Sequence, residues 1–386
     1  MAEWLTSQGH EVRVVTAPPY YPMWRVSPSY CGWRYTREEL KGVKVFRCPL
    51  WVPKVPTGVG RVLHLLSFAM SSFLIVIWQG FRWKPNVVWV VEPPFLMTPA
   101  ALISGWMAKC PTWLHVQDFE IDAAFDLEIL GLRKARRFVF FLEQRLMKLF
   151  DNVSTISETM LERLISKGLD KQKCVYFSNW IDTNMIYPIQ GPNPMRHELG
   201  IPEEGSVALY SGNMGEKQGL EIILEAARKL SNEKNLRFVI CGDGAARPKI
   251  HQLGSTLPNV QFLPLQPPER LNQLLNLADI HLLPHQGRIA DLVLPSKLIG
   301  MLASGRPVVA VTGYDTQVAR IVEGRGMVVT PKDPPALAKA IKFLIENEKE
   351  RVKFGQAGRT YVMQHWQMEM VLKRFEAGLY ESLSRK

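Results

Sequence analysis

Short runs of β-branched and aromatic residues alternate with segments of helical period along almost the whole chain. That alternation predicts parallel sheets covered by helices, an α/β architecture. In the first half the runs predict strands at Glu11–Thr16, Val43–Arg47, Asn86–Val91, Thr112–Val116, Asn152–Thr155 and Cys174–Phe177. A second series follows at Val207–Tyr210, Arg237–Cys241, Val260–Leu263, Ile280–Leu283 and Pro307–Val311, with helical sequence from Glu350 to Ser384. Between the two series, three prolines and a glycine starting at Pro188 predict a linker over 188–205. The expected organisation is a Rossmann-like domain over 1–187, a second over 206–365, and a terminal helix over 366–386 that returns to the first. Two such doubly wound domains would face a cleft, with ligands outside the carboxyl ends of the strands. The segment Pro18–Lys41, rich in Pro, Tyr and Trp, reads as a functional loop.

One apolar stretch breaks the pattern. Val62–Gly80 approaches the length of a membrane span, but His64, Ser67, Ser71 and Ser72 interrupt it. It is expected as a buried or interfacial helix. Met1–Gln8 has neither a basic n-region nor an apolar h-region, so it does not read as a signal peptide.

Composition narrows the class. Hydrophobic residues at 47 % and charged residues at 22 % give a globular balance, and 386 residues suffice for two domains. The five cysteines are scattered singly, which argues against a disulfide framework and against a zinc site. A net charge of +11, spread over both halves and lacking an aromatic-interleaved module, points to a membrane surface and phosphate-bearing substrates rather than nucleic acid.

Four places carry candidate chemistry. Val207-Ala-Leu-Tyr-Ser-Gly-Asn-Met-Gly-Glu-Lys-Gln-Gly219 runs a buried strand into a loop with Gly212, Asn213, Gly215 and Lys217, where a helix opens near Gln218. Glycines let backbone approach a ligand, and helix N–H groups attract an anion. Val239-Ile-Cys-Gly-Asp-Gly244 would add Gly242, Asp243 and Gly244 as a second wall of a nucleotide pocket. Asp291-Leu-Val-Leu-Pro-Ser-Lys297 enters a helix at Ser296, an N-cap residue type. Lys297 then falls in the first turn, an unfavourable place for a cation unless an anion sits there. In the first half, Thr112-Trp-Leu-His-Val-Gln-Asp118 puts His115 and Asp118 at the carboxyl end of a strand, the place for catalytic groups in such sheets. Glu120 and Asp122 follow but lack a metal-ligand pattern, so no metal is expected.

These residues resemble glycosyltransferase family 4, and within it the colanic-acid biosynthesis glycosyltransferases. The resemblance runs over essentially the whole chain. It is carried by Val14-Val-Thr-Ala-Pro-Pro-Tyr-Tyr-Pro22, Arg47-Cys-Pro-Leu-Trp-Val-Pro53, Leu114-His-Val-Gln-Asp-Phe119, Phe177-Ser-Asn-Trp-Ile-Asp182 and the loop at Gly212. It implies a GT-B fold, retention at the anomeric carbon, no cofactor beyond a nucleotide-sugar co-substrate (GDP-linked as a family-level expectation), and a lipid-linked saccharide acceptor. It further implies a cytoplasmic protein peripheral at the inner face of the plasma membrane. His115, Asp118 and Lys217 are then the catalytic candidates. Tyr20, Tyr21, Trp24, Arg133, Arg136 and Arg137 are the acceptor or membrane side. Two departures stand out: Asn213 occupies a position that is basic in the broad family, and Leu292 and Gly300 replace two glutamates near the donor. Asp291, Ser296 and Lys297 are the expected local substitutes. The resemblance also implies a strand and glycine-rich loop ahead of Met1, with Met1–His10 as the end of the helix that follows them. Two alternatives remain: a sugar-nucleotide epimerase of the same fold, and a degenerate protein that binds donor without reacting.

Overall fold

The computed structural model describes residues 1–21, 23–54, 58–122, 136–285 and 294–385, and of Lys217 the backbone alone. The chain divides into two compact units, Met1–Phe177 with Leu372–Lys386, and Ser178–Val371.

In the first unit, helix α1 (Ala2–Ser7) leads into β1 (Arg13–Thr16), which pairs in parallel with β3 (Val43–Arg47). An antiparallel strand β2 (Thr36–Leu40) flanks β3 on its other side. It lies in the segment read as a loop; four of its five residues are exposed and it lacks an apolar face, so periodicity did not disclose it. Helix α2 (Gly58–Arg82) and helix α3 (Thr98–Ala108) flank β4 (Val88–Glu92) in sequence. A second, parallel sheet has the order β4-β5-β6-β7, with β5 at Thr112–Val116, β6 at Asn152–Thr155 and β7 at Cys174–Tyr176. Every residue of β5 and β6 is buried, the two-faced burial expected of a central parallel strand. Helices α4 (Arg136–Leu149) and α5 (Glu158–Ser166) follow among the described residues.

Among the described residues the second unit holds six parallel strands in the order β10-β9-β8-β11-β12-β13. They are β8 (Ser206–Ser211), β9 (Leu236–Cys241), β10 (Val260–Leu263), β11 (Ile280–Pro284), β12 (Val308–Val311) and β13 (Gly326–Val329). The order reverses beside β8, giving the switch point at which doubly wound sheets bind ligands. Its described helices are α6 (Pro194–Glu198), α7 (Glu221–Lys229), α8 (Arg247–Gly254), α9 (Leu271–Leu277), α10 (Ser296–Ala303), α11 (Gln317–Val322), α12 (Pro334–Glu346) and α13 (Glu348–His365), and α14 (Met368–Ser384) begins in it.

The segment 188–205, read as a linker, packs into this unit. Met195 and Ile201 are buried, and Asn193 accepts from the Met195 amide (2.9 Å) while donating to the Gln273 carbonyl (2.8 Å). Pro194 there opens helix α6. From Leu372 onward, α14 belongs with the first unit: Phe375 meets Trp113 edge-on at 5.3 Å, and Ser382 receives a hydrogen bond from Asn152 (2.6 Å).

Helix α2 reverses the usual arrangement. Its buried residues include His64, Ser72 and Gln79, whereas Val59, Met70, Leu74 and Phe81 are each more than 60 % exposed. Of the two expectations, a buried or an interfacial helix, the outward-pointing apolar face of α2 speaks against the buried one.

Candidate functional site

In the second unit, adjacent strands β8 and β9 end in register, Ser211 opposite Cys241, so their loops leave side by side. Gly212 (φ +143°), Gly242 (φ +147°) and Gly244 (φ +150°) adopt backbone that side chains disfavour. The two loops touch backbone to backbone. A Cβ on Gly242 would lie 1.9 Å from the Gly212 carbonyl oxygen, and one on Gly244 would lie 2.5 Å from Asn213 Oδ1. Three amides tie the loops together: Gly212 donates to Cys241 (3.0 Å), Met214 to Asp243 (2.8 Å) and Ala246 to Met214 (2.8 Å). Gly215 precedes a short 3-10 turn over Glu216–Gln218 that carries the Lys217 backbone, and α7 starts only at Glu221.

Tyr210, at the end of β8, is buried, and its hydroxyl donates to the Asn213 carbonyl (2.6 Å). Its ring supports Lys297, whose ammonium lies 4.6 Å from the ring centroid. The aliphatic end of Lys297 runs beside Gly212, 3.5 Å from where a Cβ would stand. Among the described residues no carboxylate pairs with Lys297. Burial lowers its pKa to about 8. The ammonium thus sits partly desolvated in the first turn of α10, over an aromatic face and beside a glycine turn, with a net attraction for an anion. Ser296 is exposed and is the first helical residue; the cap position is Pro295, with no side-chain cap bond, so the N-cap expectation for Ser296 is corrected. Asn213 and Asp243 are exposed at the rim, with Arg247 at 3.8 Å from Asp243. Asp291 and Arg133 lie outside the described residues.

In the first unit the sequence candidates separate. His115 is buried; its Nδ1 meets Ser154 Oγ at 2.8 Å and its Nε2 meets the Gln117 amide at 2.8 Å. Ser154 also accepts from the Trp113 indole (2.8 Å), and Trp89 stacks on the imidazole. Burial holds the His115 pKa down at about 4. His115 is thus held as a neutral imidazole at a strand buried on both faces. Asp118 is half-buried at the carboxyl end of β5. Glu120 accepts from the Phe95 amide (2.9 Å), whereas Asp122 binds Arg163 (2.7 Å) and Lys167 (2.5 Å). The two carboxylates serve different partners, and among the described residues no set of three metal-ligating side chains converges. Tyr20 and Trp24 are half-buried and stand against the His64 ring at 4.6 and 5.5 Å, while Tyr21 is exposed. Arg136 and Arg137 are exposed at the start of α4.

Periodicity missed a buried ionic group beneath these residues. Lys167 bridges Asp122 and Glu143 (2.6 Å), and Glu92, at the end of β4, is fully buried with neither carboxylate oxygen hydrogen-bonded among the described residues. Burial, then Glu143 and Glu120, push the Glu92 pKa well above its ordinary 4.5, opposed by Lys167. Because the folded value is raised, the associated stability is fully present below the unfolded value and is lost as pH rises through the folded one. Glu92→Gln, which stays neutral, should melt above wild type at pH 8 and level with it at pH 4. Calorimetric melts at both pH values read this as about 2–4 °C per kcal/mol.

The profile of glycosyl transferases group 1 matches residues 193–361, and that of the glycosyl transferase 4-like domain matches residues 1–180. The colanic acid biosynthesis glycosyl transferase WcaI of Escherichia coli (strain K12) is 38 % identical over 97 % of this chain and 93 % of its own length. Sucrose-phosphate synthase of Thermosynechococcus elongatus shares the fold at a TM-score of 0.71 and 15 % identity, over 100 % of this chain and 92 % of that one. The Anabaena protein HepE, solved with UDP, does so at 0.67 and 16 %, over 88 % and 86 %. Two adjoining family matches and a relative alike over nearly the whole length show that the chain is a glycosyltransferase, a member of the group 1, family 4 enzymes with two Rossmann-like domains of the GT-B fold.

Proposed function

We propose that the chain transfers a sugar, with retention and without a metal, from a nucleotide-diphosphate donor to a lipid-linked saccharide in exopolysaccharide assembly of the colanic-acid type. The reading that it works in the cytoplasm, peripheral at the inner face of the plasma membrane, is part of the same proposal. The observation that carries it is the Lys297 ammonium, held between the Tyr210 ring and the Gly212 turn with no carboxylate partner among the described residues. The name of the Escherichia coli relative supports the pathway class, and the UDP in the HepE structure supports a nucleotide donor. A GDP-linked donor remains the family-level expectation for the base.

In this reading the donor diphosphate lies against Lys297, Lys217 and the first-turn amides of α10. The bond from the anomeric carbon to the phosphate oxygen breaks as the acceptor oxygen bonds to that carbon. The acceptor proton passes to the departing phosphate, the front-face course that the resemblance implies. Charge growing on that phosphate is met by donors already in place, so they stabilise the transition state more than the ground state. Lys217→Ala should accordingly lower turnover with little loss of stability, as its neighbours are polar or glycine. Wild-type turnover of that variant at saturating donor would remove Lys217 from the mechanism.

A thermal-shift panel of GDP, UDP and their sugars tests the proposal. A ligand at a hundred times its dissociation constant adds about 2.7 kcal/mol to stability. One nucleotide series should raise the melting temperature, and silence from both would overturn the donor assignment.

A further inference from the structure

We infer that α2 is an in-plane membrane helix: its apolar face lies in one leaflet while its polar face stays bolted to the first domain. The inference rests on the membrane reading above and adds the in-plane geometry and the contacts that fix it. By composition α2 could be taken for a span, since its most apolar window has a mean hydropathy of 1.8, yet only 17 % of that window is buried. Its 25 residues extend about 37 Å at 1.5 Å per residue.

The polar side decides against crossing. The His64 ring donates through Nδ1 to the Trp51 carbonyl (2.6 Å), and Ser67 accepts from the Trp51 amide (3.0 Å). Ser71 donates to the Pro49 carbonyl (2.6 Å) and, through its own carbonyl, accepts from the Tyr35 hydroxyl (3.0 Å). Two turns on, Arg13 of β1 donates to Gln79 (2.9 Å), and Gly80 packs so closely on α3 that a Cβ would stand 2.4 Å from Ser104 Oγ. These fastenings run from near the start of the helix to its last turn. A span would have to break all of them and carry the freed groups into hydrocarbon.

The outward side fits a leaflet. Val59, Leu63, Leu66, Met70, Leu74 and Phe81 recur at three- to seven-residue steps on one face, and each is exposed. The charged residues of α2 are Arg61 and Arg82, one near each end. Helix α4, which contacts α3, brings exposed Arg136, Arg137, Arg145 and Lys148 with exposed Phe138 and Phe141, while its single acid, Glu143, is buried. An uncharged apolar stripe accompanied by cations matches anionic lipid, as in other interfacial helices.

Vesicle flotation of the full chain is the test, using phosphatidylglycerol–phosphatidylcholine vesicles beside phosphatidylcholine alone. Wild type should float with the anionic vesicles. Met70→Glu/Leu74→Glu changes two exposed positions, so it should keep its circular dichroism spectrum and its nucleotide response but lose flotation tenfold or more. Bromine placed near the headgroup should quench tryptophan fluorescence more than bromine near the bilayer centre, and Trp78→Phe should reduce that difference. Flotation unchanged in the double variant would overturn the role of α2 and leave the peripheral reading standing. No flotation of wild type would overturn both, and stronger quenching from the bilayer centre would overturn the in-plane geometry. A wild-type dimer in sedimentation that the double variant dissolves would assign the face to a second copy, also against the inference.

Discussion

Lys297→Met should cut turnover about a hundredfold at saturating donor, the usual effect of removing one preorganised donor to a developing oxyanion, roughly 3 kcal/mol. The same change should leave the donor-free protein as stable as wild type or more so. The ammonium is partly desolvated, lies over the Tyr210 ring, and among the described residues has no carboxylate to offset that cost. Replacing a partly desolvated, uncompensated charge by an apolar chain of similar length removes a penalty. Function and stability therefore move in opposite directions, a pattern that mere damage to the fold does not give. Steady-state kinetics with thermal melts of the free variant check both halves. A variant that loses stability in proportion to activity would make Lys297 a packing residue.

The second large effect concerns the glycine turns. Gly242→Ala should destabilise the second unit by roughly 3 kcal/mol or more, by combining a forbidden backbone region with overpacking. The new Cβ would sit 1.9 Å from the Gly212 carbonyl oxygen, and backbone on a strand end cannot move aside as a flexible side chain can. Against a domain stability of about 5–15 kcal/mol this is a substantial share. Gly191→Ala is the control: Gly191 also has positive φ (+88°), but nothing lies within 4 Å of its would-be Cβ. Urea titration should show a small loss at Gly191 and a much larger one at Gly242. Equal losses would mean that the loop contact at Gly212 contributes nothing beyond backbone strain.

How much of this could be read from the sequence depends on whether the cause was local. Buried parallel strands such as β8 and β12 announce themselves as apolar runs, and their predicted limits fall within one residue of those observed. Strand β2 did not, because Thr-Arg-Glu-Glu-Leu at an exposed sheet edge has no apolar periodicity to detect. The turns at Gly212 and Gly242 were legible since only glycine suits such backbone. Lys297 was legible as an anomaly, a cation at the wrong end of a helix. What supports its ammonium, the Tyr210 ring, was not, because Tyr210 belongs to another element and reads simply as a strand residue. The surroundings of His115 were illegible for a related reason: a strand pattern shows that a residue is in β5, but not that Trp89 and Phe177 close over it. The Glu92–Glu143–Lys167 group was invisible because its members come from β4, α4 and the end of α5, far apart in the chain.

The central claim, that a nucleoside diphosphate is held by the protonated Lys297 beside the Gly212 turn, is tested most directly by calorimetric titration of UDP and GDP into wild type and Lys297→Met across pH. One diphosphate should bind wild type at pH 7, and binding should weaken above about pH 8 as the ammonium loses its proton. The variant should bind that diphosphate at least tenfold more weakly and without that pH dependence. Equal affinity in the two proteins, or the same decline with pH in both, would contradict the account.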